Sequence, residues 1–129
     1  AHKKASFKIA DLALAASGTV SLELAANNTP MVIGYDMNYF SRRIIQFMMK
    51  TDTVTLVNLI TGNRNIPECI GADFNSEKLF LEMVRVFSNN KNQIKDFKTT
   101  MDLLGKNDKD PNVRAANSLI KFYNKFKAV

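Results

Sequence analysis

An α/β fold with a short parallel sheet is the class this 129-residue sequence predicts, and three observations predict it. Short apolar runs stand at residues 12–16, 31–35 and 54–57, each of strand length and bounded by polar or turn-forming residues. Stretches of helical length, with apolar residues at helical spacing, separate or follow them. The first run leads through Ser17-Gly18-Thr19 into a helix, and α/β proteins build such a small-residue turn at the carboxyl end of a strand.

Residues 1–10 are basic and polar, with Phe7 and Ile9 their only large apolar residues, and read as a lead-in to the first strand. Leu12 to Ala16 are small and apolar, as in a strand buried on both faces. Gly18 gives the backbone freedom to turn and room for a ligand to approach, and Ser17 and Thr19 are good N-cap residues. A helix starting there points free N–H groups outward from the strand end, which makes an anion site. Glu23 follows about one turn later, at roughly 3.6 residues per turn, and a carboxylate there can accept two hydrogen bonds from a sugar diol. Diphosphate and ribose together make a nucleotide-sugar site. The spacing is equally compatible with a plain helix cap and a solvated glutamate.

The helix from about residue 19 is expected to end near Asn27-Asn28, with Pro30 past it. Met31 to Tyr35 reads as a buried strand, and Asp36-Met37-Asn38 as the loop at its carboxyl end. A helix over about 39–50 is apolar on nearly two sides, with Arg42 and Arg43 facing out. It suits a core position, or a surface that meets lipid. Val54 to Val57 is read as a third strand, which places Asn58 on the same rim as Ser17 and Tyr35. Arg64 lies in a polar loop, available to a diphosphate or to solvent. Asn75 or Ser76 caps a helix to about Ser88, with Leu79, Phe80, Met83, Val84 and Phe87 in one stripe. Another helix runs from Lys91 to Leu104 and stops at Gly105. After a charged linker, Asp110-Pro111 opens a last helix to about Lys127. Its one face carries Val113, Ala116, Ile120, Tyr123 and Phe126, and its other Arg114, Lys121, Lys125 and Lys127.

Composition narrows the function classes. Apolar residues make up 46%, an ordinary globular value. One cysteine, Cys69, cannot close an internal disulfide, and one histidine, His2, cannot complete a His/Cys metal site or a Ser–His–Asp triad. No apolar run approaches the roughly 18–20 residues of a membrane span, and the first residues lack the apolar core of a signal peptide. Together these features predict a cytoplasmic protein with no metal and no cofactor. The net charge is +6, with 7 basic and 5 acidic residues in 1–70 and 11 and 7 in 71–129. Aromatic residues are not interleaved with the lysines, so nucleic acid is not the expected partner.

Four blocks then occur in order: Ala-Ser-Gly-Thr-Val-Ser-Leu-Glu-Leu-Ala (16–25), Thr29 to Tyr35, Val54 to Gly62, and Ile66-Pro67-Glu68. Taken together they resemble the carboxyl-terminal part of lipid-A-disaccharide synthase, a GT-B-fold glycosyltransferase family (family 19) of Gram-negative bacteria. The resemblance covers roughly residues 10–104. It implies the second half of a Rossmann-like domain, with about three parallel strands and flanking helices over 1–105, and a linker with a basic helix over 106–129. It implies transfer of 2,3-diacylglucosamine from UDP to 2,3-diacylglucosamine-1-phosphate at the inner-membrane surface, with the acceptor's general base in a preceding domain. Ser17, Gly18 and Thr19 would then hold the diphosphate and Glu23 the ribose. Tyr35 and Arg64 would complete the nucleotide-sugar site, and Asn58 would be the catalytic residue carried by the family's Leu-Pro-Asn-Leu block, here Leu56-Val57-Asn58-Leu59. Three positions depart from the family: Asp36 stands where a basic residue is frequent, Val57 where the block has proline, and Gly71 where a glutamine is usual. A sheet that starts at residue 12 lacks neighbours for its first strand, so a homodimer that exchanges its tail is expected. Two other readings stay open: another GT-B nucleotide-sugar enzyme, or a non-catalytic basic module that binds membranes or partners.

Overall fold

Strand pairing sets the frame of the molecule. In the computed structural model, residues 2–16, 18–36, 52–106 and 110–127 are described. Strands β1 (Ala13–Ala15), β2 (Met31–Tyr35) and β3 (Glu68–Ile70) form one parallel sheet in the order β1-β2-β3. Ala13 pairs with Met31, Ile33 with Glu68, and Tyr35 with Ile70. The described helices are α1 (His2–Ile9), α2 (Gly18–Ala26), α3 (Leu56–Thr61), α4 (Ser76–Ser88), α5 (Lys91–Leu103) and α6 (Pro111–Lys127).

Because side chains alternate along a strand, β2 divides the core in two. Met31 and Ile33 join Ala15, Leu24 and Ala25 of α2, Val57 of α3, Ile66, and Phe97 and Met101 of α5. Val32 faces the other way, with Cys69 and Val86, against Leu79 and Met83 of α4. Each large side chain buried in this way contributes about 1.5–3 kcal/mol relative to exposure. Gly34 belongs to the α4 side. A Cβ there would lie 3.0–3.1 Å from the side chains of Leu79, Leu14 and Phe74, so any larger residue needs those side chains to give way by a few tenths of an ångström. The expectation of an α/β chain with three parallel strands and flanking helices is met.

Helix ends follow their local signals. The α2 helix closes at Asn27-Asn28, where Asn28 takes a left-handed φ of 57°, and Thr29 N–H returns to Leu24 O at 3.0 Å. Asn75 Oδ1 accepts the Lys78 N–H at 2.9 Å and caps α4. Gly105, at φ 75°, ends α5. Asp110 Oδ1 accepts the Asn112 N–H at 2.7 Å at the start of α6.

Four expectations are corrected. The lead-in is helical over His2–Ile9, where Phe7 packs on the first core cluster and Thr29 Oγ1 donates to Phe7 O at 2.5 Å. The run at 54–57 is not the third strand: residues 53–55 carry no strand pairing, Leu56 starts α3, and Glu68–Ile70 takes the place beside β2. The first strand is not buried on both faces, since Leu14 is 50% exposed on the α4 side. The apolar stripe of α4 splits: Leu79 and Met83 pack inward, while Phe80, Val84 and Phe87 are exposed. The helix read over 39–50 lies outside the described residues, and so does most of the 36–38 loop.

Candidate functional site

The rim at the carboxyl ends of the strands is where an open parallel sheet holds ligands. Here it consists of Ala15, Tyr35 and Ile70 and the segments that follow them. Helix α2 begins at Gly18, three residues past the end of β1, so its first N–H groups stand at this rim. Thr19 is exposed on its first turn. Tyr35 ends β2 and is 46% exposed. Ser17 lies outside the described residues.

Glu23, on the same helix as Gly18 and Thr19, is engaged elsewhere. Its carboxylate pairs with Lys3 of α1, at 2.8 Å to Oε2 and 3.1 Å to Oε1. Both side chains are solvent-accessible, and an exposed pair of this type is worth only about 0.2–1 kcal/mol, little hindrance to exchanging one partner for another.

Asn58 stands in α3 rather than at a strand end, and it is 0% exposed. Its Nδ2 donates to Ile66 O at 2.9 Å and to Glu68 Oε1 at 3.2 Å, while its Oδ1 accepts the Ile66 N–H at 3.1 Å. The amide therefore satisfies both backbone groups of Ile66, which no ladder serves. Arg64 lies in the loop held by these bonds. Its guanidinium forms an ion pair with Asp52, donates to Asn63 O at 2.7 Å, and reaches Asn58 O at 3.4 Å. The Arg64 hydrogen bond holds the Asp52 carboxyl below its usual range, and the same bond raises Arg64. The structure thus joins Asn58 to Arg64, and Gly18 and Thr19 to each other.

Three polar residues to which the sequence assigned no site role shape this region. Glu68 accepts from Thr53 Oγ1 at 2.5 Å, Val54 N at 3.1 Å and Thr55 N at 2.9 Å. Buried Asp96 of α5 accepts from Asn63 Nδ2 at 2.8 Å and Asn65 Nδ2 at 2.7 Å. Gln93 pairs with both backbone groups of Met31 at 3.0 Å and donates to Asn65 O at 3.0 Å. The loop from Asn63 to Ile66 is consequently tied from both sides. The signal available for Gln93 and Asp96 was their place beside Ile94, Phe97 and Met101 on an inward helix face. A cavity of about 360 Å³ opens beside the loop, lined by Asn58, Arg64, Glu68, Asp52, Ile70 and Asp73.

Cys69 is buried, and burial pushes its thiol up, away from the thiolate a nucleophile needs. Among the described residues no group of three His, Cys, Asp or Glu side chains converges as a metal site, and no helix is long and apolar enough to cross a membrane.

A sequence model of the family described as lipid-A-disaccharide synthetase matches residues 1–121. The lipid-A-disaccharide synthase of Ruegeria pomeroyi is 45% identical over 119 residues, covering 92% of this chain and 30% of that protein. The lipid-A-disaccharide synthase of Bradyrhizobium diazoefficiens is 34% identical over 123 residues, covering 93% and 31%. That of Rickettsia bellii is 49% identical over 72 residues, covering 56% and 18%. The chain therefore spans about 30% of the length of the curated relatives it matches over most of its own length. With the whole of the parallel sheet inside the matched region, this chain belongs to the lipid-A-disaccharide synthase family.

Proposed function

We propose that this chain is the nucleotide-sugar-binding part of a GT-B glycosyltransferase that moves 2,3-diacylglucosamine from UDP to 2,3-diacylglucosamine-1-phosphate in lipid A synthesis. The observation that carries the reading is the start of α2 at Gly18, three residues past β1, in a chain of this family. As the glycosidic bond to the diphosphate breaks, negative charge develops on the leaving oxygen. Preorganised N–H groups at a helix N-terminus stabilise that charge without a metal. Ser17, Gly18 and Thr19 take this role. Glu23 accepts the ribose hydroxyls after leaving Lys3, and Tyr35 borders the nucleotide. Arg64 exchanges Asp52 for the diphosphate. Asn58 acts from within α3, by holding the Arg64 loop in place. The base that activates the acceptor hydroxyl lies outside these residues, so residues 1–129 alone make no disaccharide.

The whole enzyme works at the cytoplasmic face of the inner membrane. Supporting this are the lysine-lined groove of α5 (Lys91, Lys95, Lys98, with Lys106) and the basic residues of α6, both suited to anionic headgroups. It is a homodimer, joined by exchange of the α6 tail.

Titration of the isotope-labelled chain with UDP tests the site. The amide signals of Gly18, Thr19 and Val20 should shift in parallel and saturate. Shifts confined to α4, α5 and α6 would remove the diphosphate from the α2 terminus.

A further inference from the structure

The segment Thr53-Val54-Thr55 enters α3 without the usual supports. It belongs to no strand, and Thr55, at the N-cap position of α3, makes no side-chain capping bond. Thr53 and Thr55 are nevertheless buried, and a buried backbone N–H without a partner is costly. The missing acceptors come from another element. Glu68, the first residue of β3, sends its carboxylate under the entry to α3, where Oε2 accepts the Val54 N–H while Oε1 accepts the Thr55 N–H and the Thr53 hydroxyl. A carboxylate only accepts, and it suits the positive end of a helix.

The same Oε1 also accepts from Asn58 Nδ2, and Asn58 bonds both backbone groups of Ile66, two residues before Glu68. A closed ring results, from β3 through Glu68 to the entry of α3, through Asn58 to Ile66, and back to β3. Arg64 projects from the loop inside this ring and touches Asn58 O. The four groups that donate to Glu68 here, the Thr53 hydroxyl, the Val54 and Thr55 N–H groups and the Asn58 amide, are all neutral, so its hydrogen bonds are those of an acceptor.

We propose that Glu68 is a positioning residue of the nucleotide-sugar site, a cap supplied from β3 that fixes Asn58 and the Arg64 loop before the ligand arrives. This rests on the UDP-site reading above. Glutamine keeps one acceptor oxygen, enough for Thr53, Thr55 and Asn58, and turns an NH2 group toward Val54. Alanine removes both oxygens.

Hydrogen exchange and UDP affinity, measured on the 129-residue chain and on Glu68→Gln and Glu68→Ala, test the proposal. In Glu68→Ala the amides of Val54, Thr55 and Ile66 should exchange at least about tenfold faster, while Met31, held by Gln93, is unchanged. The UDP dissociation constant should rise at least about fivefold. In Glu68→Gln faster exchange should be confined to Val54, and UDP affinity should stay within about twofold of the parent. Protected Ile66 in Glu68→Ala, or unaltered UDP affinity with the three amides loosened, overturns the positioning role. If Glu68→Ala does not fold, Glu68→Gln decides: loss of Ile66 protection there overturns it. Absence of UDP binding by the parent chain at millimolar ligand overturns the site reading itself, whereas binding that is indifferent to Glu68 overturns only this proposal.

Discussion

At the scale of single residues, burial converts polar side chains into structural parts. Asn58 stands in the Leu56-Val57-Asn58-Leu59 block, where both ends of its amide are spent on Ile66. Replacing it by alanine leaves a buried N–H and C=O unpaired, each costing about 1–3 kcal/mol. Asn58→Ala should therefore lower unfolding free energy by about 3 kcal/mol, read as a fall in the urea midpoint at unchanged slope. A loss below about 0.5 kcal/mol would show that water or a backbone shift replaces the amide. Arg64 and Asp52 behave differently: their pair is exposed, and its partners remain free to exchange.

At the scale of elements, short helices depend on their ends. The α3 helix has six residues and closes with Gly62 at φ 72°, its N–H bonded to Asn58 O at 2.9 Å. A side chain at that backbone angle costs about 1–2 kcal/mol, although a Cβ would meet nothing within 4 Å. Gly62→Ala should destabilise the chain by about 1 kcal/mol through backbone strain alone. Thermal unfolding checks it, and an unaltered midpoint would mean that the α3 end relaxes out of the left-handed region. Asn28, also left-handed after α2, shows the residue type that tolerates this angle best after glycine.

At the scale of the whole molecule, α6 stands apart. Its 17 residues form an amphipathic helix, and every described side chain on it is exposed, Leu119 at 70% and Phe126 at 67% among them. Exposed apolar faces of this length seek cover, and the proposed dimer supplies it by exchange between copies. Sedimentation at micromolar concentration should give twice the chain mass, and removal of residues 111–129 should return a monomer. A full-length chain that sediments as a monomer would mean that α6 folds back on its own chain or meets a different partner.

How much was legible in the sequence depends on the range of the interaction that decides each feature. The caps at Asn75 and Asp110, the stops at Asn28 and Gly105, and the runs of β1 and β2 rest on contacts a few residues apart, and they stand where the sequence places them. The family blocks were legible for the same reason, as ordered local strings. Other features were settled only by tertiary contacts. Residues 54–57 and 68–70 are both short apolar-rich runs, and periodicity cannot choose between them. Pairing with β2 selects Glu68–Ile70, and the Glu68 carboxylate then gathers the backbone of 54–55 into the entry of α3. The helix at 2–9 likewise depends on Phe7 meeting the core, and the partner of Glu23 on where α1 lies. Local composition determined where the chain turns, caps and stops. Which run completes the sheet, and which polar side chains serve the interior rather than the rim, was decided by partners 8 to 62 residues away in sequence, whose effect no local pattern records.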